Sequence, residues 1–202
     1  MTTGQKNNDI SFGIIFSYLN RFMPLTKEQI EELLSYCVFR KFARKERIVQ
    51  EGETDNFLNI VVQGLVRKYI RVKKDEVILQ LATEGHIIHS EISFLTRTPS
   101  MVVLEALEPA ILISISYDKM ILALEKYPQG ERLGRLILTN MYIKKDERRF
   151  TRLSKSMRER FLFYVAGHPH MLLRVPQKYL ASYLNIKQET FSRLKHLIQE
   201  KK

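Results

Sequence analysis

The sequence predicts an α+β protein with a β-roll or sandwich in its N-terminal part, a long helix after it, and a C-terminal pair of short helices. Three observations lead to this prediction. Between residues 38 and 116, short runs rich in β-branched and aromatic residues are separated by single glycines at 52, 64 and 85. From residue 129 to 153, apolar residues recur at intervals of three and four. Residues 175–202 show helical spacing on both sides of a short turn.

Two short helices are predicted before the β-rich part. Residues 10–22 are apolar enough for the first helix, and Thr26 with Gln29 forms a capping box for the second, which runs to about Tyr36. Cys37 is placed in this apolar helical segment as a small buried hydrophobe. Because it is the only cysteine, the chain cannot form an internal disulfide, a multi-cysteine zinc site or a cysteine-ligated iron–sulfur cluster.

Seven or eight short strands are predicted, and their regular turn signals are typical of an all-β roll, sandwich or barrel. Gly64 is interpreted as the turn residue of a β-hairpin, and Glu108-Pro109 marks a further turn. The strands include residues 47–50, 57–63, 65–72, 76–82, 87–89, 101–107 and 110–116.

A helix capped by Ser116 is expected to end before Pro128, and the long helix follows it from about 129 to 153. An apolar stripe of this length needs a partner. We expect one side to pack on the roll and the other on a second copy of the chain, as in a two-stranded coiled coil. Packing on the roll alone is the alternative, and Asn140 is hypothesised to fix the register of a dimer. The dimer residues are Leu133, Leu136, Ile137, Asn140 and Ile143.

The C-terminal part is predicted to begin with a helix over 154–166, whose start could equally continue the long helix. Gly167-His168-Pro169 ends this helix, and a short strand is predicted over 171–175. Two helices then follow, with small Ala181 at their closest approach and Asn185, which tolerates a left-handed backbone, in the turn. This pattern is typical of a DNA-binding helix-turn-helix, although an ordinary helical hairpin remains the alternative. The apolar positions that bury the two inner faces are Leu180, Leu184, Ile186, Phe191 and Leu194.

The net positive charge lies in the C-terminal third. The whole chain has a formal net charge of +11, and residues 131–202 carry 17 Lys and Arg against 6 Asp and Glu, which accounts for all of it. Localised positive charge attracts the phosphates of nucleic acid, whereas a solvated basic face or a patch that meets an acidic membrane are the alternatives. The N-terminus shows no signal region and no apolar run approaches 18 residues, so a cytoplasmic protein is expected.

The order of these parts resembles the family of the catabolite activator protein and its relatives, the cAMP receptor/fumarate-nitrate regulator group. The most specific similarities are Gln188-Glu189-Thr190 followed by Arg193, and the run from Gly85 to Leu107, which matches the phosphate-binding cassette of cyclic-nucleotide-binding folds. The resemblance implies a sensor domain over 1–128, a dimerisation helix over 129–153 and a helix-turn-helix domain over 154–202. It also implies a homodimeric transcription regulator without enzymatic activity, with DNA and RNA polymerase as partners.

By this resemblance, Gln188, Glu189 and Arg193 read base edges, and these side chains have the hydrogen-bonding groups that such readout needs. The phosphate contacts are assigned to Lys187, Thr190, Ser192 and Lys195. Alternatively, Thr190 only caps or packs, and Glu189 only pairs with Arg193. Relatives usually add a two-stranded wing, and we expect none here because only residues 198–202 follow the second helix. Binding should then depend more on the helix and on the basic segment 144–160.

The effector pocket matches the family only in part. The resemblance matches Gly85, Glu91 and Ser100 to the pocket, but the family's arginine position falls on Pro99, which has neither charge nor a donor. Arg97, two residues earlier, is included in the predicted pocket as the guanidinium that would swing in to replace it. We therefore expect that cAMP does not bind in the usual way, and that another small effector, or none, acts on this domain.

Two rival functions remain. A cyclic-nucleotide-binding signalling module without DNA binding would need nucleotide affinity. A metal-dependent β-roll enzyme would need bound metal, and the spacing of His86, His89 and Glu91 argues against it because residues 86 and 89 of a strand point to opposite faces. No metal site is expected.

Overall fold

The computed structural model describes residues 12–127 and 129–199. The chain divides into two compact units. The first contains the residues up to Tyr69 together with Leu81–Thr139, and the second contains Ile70–Gln80 and the residues from Asn140 onward.

The first unit begins with two helices, α1 over residues 12–19 and α2 over Lys27–Ser35. Residues 10 and 11 of the first predicted helix lie outside the described part of the chain. The capping box is confirmed, because the Thr26 hydroxyl accepts from the Gln29 amide while the Gln29 side chain accepts from the Thr26 amide. The placement of Cys37 in a helix is wrong. Cys37 starts the first strand, where it pairs with Ile115, and burial raises the pKa of its thiol to about 11.

In the described part of the chain, eight strands form two four-stranded sheets, in the orders β1-β8-β3-β6 and β2-β7-β4-β5. A mixed fold with an antiparallel β-roll is thereby confirmed. The strands are β1 Cys37–Phe42, β2 Arg47–Val49, β3 Phe57–Gln63, β4 Val66–Val72, β5 Asp75–Ala82, β6 Ile87–Ile88, β7 Val103–Ala106 and β8 Ala110–Ser116.

Gly64 is a turn residue, but the hairpin predicted around it is wrong. Its φ of 97° lies in the region that favours glycine, and an added Cβ would lie 2.4 Å from the carbonyl oxygen of Pro109. The strands on its two sides, β3 and β4, belong to different sheets. Gly64 therefore lets the chain cross from one sheet to the other, close to the turn before β8.

Three helices complete this unit and lead out of it. Helix α3 covers Glu91–Thr96, α4 covers Tyr117–Lys126, and α5 covers Gly130–Ser154. The Ser116 cap is confirmed by its hydroxyl, which accepts from the Lys119 amide; Pro128 lies outside the described residues. Gly130 lets α5 start against α4, since a Cβ there would lie 2.3 Å from the Leu124 carbonyl oxygen.

The second unit contains the end of the β4–β5 hairpin, the C-terminal part of α5 and four further helices. These are α6 Met157–Gly167, α7 Met171–Arg174, α8 Gln177–Tyr183 and α9 Gln188–Gln199. The strand predicted over 171–175 is wrong, because these residues form the single turn of α7. Within this unit the buried rings of Phe161 and Phe191 meet edge to face, with ring centroids 5.0 Å apart. Within the described residues, no helix combines the length and apolarity needed to cross a membrane.

Candidate nucleic-acid interface and effector site

The turn between α8 and α9 is a Schellman motif built around Asn185. The Ile186 amide donates to the Ala181 carbonyl and the Asn185 amide donates to the Ser182 carbonyl. Asn185 has a φ of 52°, which confirms its expected left-handed conformation. This turn fixes the angle between α8 and α9, because both ends of the motif are held by backbone hydrogen bonds.

Helix α9 buries one face and leaves the other in solvent. Phe191 and Leu194 are buried, and Lys187, Gln188, Glu189, Arg193 and His196 are exposed. Thr190, Ser192 and Lys195 are partly buried at the border between the two faces. In the part of the chain that the structure describes, no ion pair joins Glu189 to Arg193. Neither side chain therefore has to break an ion pair with the other before it bonds a ligand.

The end of the β4–β5 hairpin contacts helix α8 through Ser182. The Ser182 hydroxyl donates to the Glu76 carbonyl oxygen at 3.1 Å and accepts from the Ile78 amide at 3.0 Å. Arg148 on α5 donates to the Leu79 carbonyl oxygen at 3.0 Å. These contacts join residues about a hundred positions apart for Ser182 and 69 apart for Arg148, so no local sequence pattern indicates them.

The long helix carries an apolar stripe that is only partly covered. Leu133 is buried, and Leu136, Ile137 and Asn140 are partly buried. Ile143, which the spacing predicts for a dimer contact, is 48% exposed in the single chain. Further large apolar side chains are also exposed on α5, and these are Leu138, Tyr142, Phe150 and Leu153.

The predicted effector residues begin with Gly85, which turns the chain before β6 with a φ of 78°. Glu91, the first residue of α3, contacts Lys68, which no sequence pattern indicates as part of the site. Both carboxylate oxygens of Glu91 lie 2.7 Å from Lys68 Nζ, which also donates to the His89 carbonyl at 3.2 Å. Burial acts to raise the pKa of Glu91, but the charge and hydrogen bonds of Lys68, together with His89 and a backbone hydrogen bond, lower this pKa overall. Glu91 is therefore an ionised carboxylate that already has a cation.

Arg97 and Ser100 are also engaged inside the protein. The Arg97 guanidinium donates to the Asp55 and Phe94 carbonyl oxygens, at 2.9 and 3.2 Å, and to the Asn56 side chain. The Ser100 hydroxyl, which is buried, donates to the Ser90 hydroxyl at 3.0 Å.

The residues present do not fit a cyclic nucleotide held in the usual way. A buried phosphate needs a cation with hydrogen-bond donors. Lys68 is paired with Glu91, Arg97 is bound to backbone carbonyls, and Pro99 supplies no charge. The Lys68 ammonium and the Arg97 guanidinium thus already have partners inside the domain.

The two histidines of the segment from Gly85 to Leu107, His86 and His89, contact other side chains of the β-roll. The His86 ring nitrogen Nδ1 lies 3.1 Å from the Thr83 hydroxyl, and His89 packs edge-to-face on Phe94 with ring centroids 5.4 Å apart. Among the described residues, no group of three or more His, Cys, Asp or Glu side chains could hold a metal ion.

Residues 39–127 match the family model of the cyclic nucleotide-binding domain. The matched segment covers the β-roll from β1 onward together with α4. No curated protein matches the sequence of the chain.

Solved structures with the same fold align with this chain over the β-roll and also over the helices that follow it. FixK2 of Bradyrhizobium japonicum is 18% identical with a TM-score of 0.68, over 82% of this chain and 85% of that one. The c-di-GMP-responsive global regulator CLP of Xanthomonas campestris is 17% identical with a TM-score of 0.65, over 87% and 93%. The Thermus thermophilus catabolite activator protein is 21% identical with a TM-score of 0.54, over 89% and 86%. The predicted resemblance to the catabolite activator group is thus confirmed for the fold.

Proposed function

We propose that this protein is a DNA-binding transcription regulator whose helix α9 enters the major groove. The observation that supports this most is the solvent-exposed face of α9, where Gln188, Glu189 and Arg193 stand opposite the buried Phe191 and Leu194. An arginine can bond guanine O6 and N7, a glutamine can bond adenine, and a carboxylate can accept from cytosine N4. The basic C-terminal third would supply the sequence-independent attraction to phosphates.

The protein would act as a homodimer joined along α5. The exposed apolar side chains of α5 need cover, and a second copy of the same helix offers a complementary stripe. Two α9 helices related by a two-fold axis would enter successive major grooves, about 34 Å apart, on a near-palindromic site. As a transcription regulator, the DNA-bound dimer would contact RNA polymerase.

The test of this function is selection of bound duplexes from a random-sequence library, at a stated salt concentration. We expect an enriched sequence with two inverted half-sites. Enrichment of no sequence, together with an affinity that does not fall as salt rises, would contradict the proposal, because phosphate contacts make binding salt-dependent.

Replacement of Arg193 tests the reading face directly. We expect Arg193→Ala to weaken binding to the selected duplex by about 1–3 kcal/mol, because one bidentate base contact is lost. Arg149→Ala removes the same charge from an exposed position of α5 and serves as the control. Gel-shift titrations should show that the control weakens selected and scrambled duplexes alike. Unchanged affinity of Arg193→Ala for the selected duplex would remove Arg193 from the reading face.

We further propose that the β-roll does not bind cAMP in the usual way. Isothermal titration calorimetry with cAMP should give no saturable heat at micromolar concentrations, because the Lys68–Glu91 pair and the Arg97 contacts satisfy the charged groups of the site. A saturable heat with a micromolar Kd would contradict this, and would favour the rival function of a nucleotide-binding signalling module if DNA binding were also absent.

A further inference from the structure

Arg160 on α6 joins two segments of the second unit that are distant in sequence. Its Nε donates to the Leu184 carbonyl oxygen at 3.0 Å, and its Nη2 donates to the Asn185 carbonyl oxygen at 2.9 Å. Its Nη1 donates to the carbonyl oxygens of Lys155 at 2.8 Å and Arg152 at 3.2 Å. One guanidinium thus holds the turn between α8 and α9 on one edge and the end of α5 on another.

The acceptors are carbonyl groups at or just beyond helix ends, where no hydrogen-bond donor is available within the helix. The Schellman motif satisfies the Ala181 and Ser182 carbonyls of α8 but provides no partner for those of Leu184 and Asn185. The Arg152 carbonyl lies in the last turn of α5, and Lys155 follows its last residue. A cation near helix C-termini is favourable because these ends carry partial negative charge.

Arginine is the side chain that this arrangement needs. Its planar guanidinium has five N–H groups in a fixed geometry, so it can reach acceptors on two sides. A lysine ammonium carries the same charge but concentrates its three donors at one point, and cannot span both segments in this way.

We infer that Arg160 is a positioning residue for DNA recognition: it fixes the direction of α9 relative to the C-terminal end of α5. This inference rests on the proposed function. The turn sets the angle between α8 and α9, and the same guanidinium anchors that turn to the helix along which the subunits would pair. Loss of these hydrogen bonds would change the direction of α9 relative to its half-site, although every base-reading side chain would still be present.

The binding test compares three variants on the selected duplex and on a scrambled duplex of equal length. Arg160→Met removes all the donors of the guanidinium, and Arg160→Lys keeps the charge. Arg158→Met is the control, because it removes the same charge from an exposed position two residues earlier on α6. We expect Arg160→Met to lose at least about tenfold in affinity for the selected duplex, as for the loss of one charge-assisted hydrogen bond. Arg160→Lys should recover the wild-type affinity for the scrambled duplex but not for the selected one.

Two results would overturn the inference. One is full recovery of specific affinity in Arg160→Lys, which would show that only the charge matters. The other is an equal loss on both duplexes in Arg160→Met, matching Arg158→Met, which would leave no positioning role. Circular dichroism at the assay temperature verifies that each variant is folded. If Arg160→Met does not fold, the Arg160→Lys result decides.

A second measurement separates this inference from the proposed function. Hydrogen exchange of the DNA-free protein should be faster for the amides of residues 184–191 in Arg160→Lys than in wild type, and unchanged in Arg158→Met. Unchanged exchange in Arg160→Lys would show that the Arg160 guanidinium does not hold the turn between α8 and α9. If the wild-type protein selects no duplex, the proposed function fails, while the exchange experiment still decides whether Arg160 holds the turn.

Discussion

Replacing Phe161 with alanine is expected to destabilise the second unit by about 3–5 kcal/mol, the usual cost of removing a buried aromatic ring. Phe161 is fully buried, and its ring meets the edge of Phe191, the residue that anchors α9. Its loss leaves a cavity between α6 and α9. Chemical denaturation followed by circular dichroism measures the change in the free energy of unfolding.

Phe163 provides the matched control on the same helix. Its side chain is 64% exposed, so Phe163→Ala should change the free energy of unfolding by no more than about 0.5 kcal/mol. Equal effects of the two substitutions would mean that the α6–α9 contact does not organise this unit.

The second large effect is expected at the buried ion pair of Arg67 and Glu105. The Arg67 guanidinium donates from Nε and Nη2 to the two carboxylate oxygens, both at 3.1 Å, and lies over the Tyr69 ring at 4.1 Å. Both side chains are nearly inaccessible to water. Arg67→Met should cost about 3–5 kcal/mol, because it leaves the Glu105 carboxylate buried without its cation.

A double substitution distinguishes the charge effect from loss of packing. Arg67→Met with Glu105→Leu should recover most of the stability, since no buried charge remains. The exposed pair of Lys27 and Glu31, 3.6 Å apart, is the control, and breaking it should cost less than about 1 kcal/mol. A double variant as unstable as Arg67→Met alone would contradict this explanation.

The sequence predicted those features that follow from local patterns. The strands over 57–63 and 110–116 were predicted within their observed limits because turn residues bound them. Asn185, Phe191 and Leu194 were predicted because two adjacent helices leave a clear apolar period and one special turn position.

The remaining features depend on tertiary contacts. Strand β1 was missed because its burial does not alternate regularly, and α7 is too short to show a helical period. Turn chemistry identified Gly64 but could not indicate that β3 and β4 enter different sheets. The Lys68–Glu91 pair spans 23 residues, and Arg160 reaches carbonyls 24 and 25 residues away. Such contacts leave no periodic signal in a single sequence.

Methylation interference on a duplex selected by the wild-type protein tests directly whether α9 reads the major groove. Methylation of guanine N7 blocks the major-groove edge that arginine would contact, and leaves the minor-groove edge unaltered. If α9 reads the major groove in a dimer, interference should fall in two clusters about 10 base pairs apart, related by a two-fold axis. In Arg193→Ala, interference at the guanine contacted by Arg193 should disappear. Tight binding with no interference by N7 methylation would contradict the account.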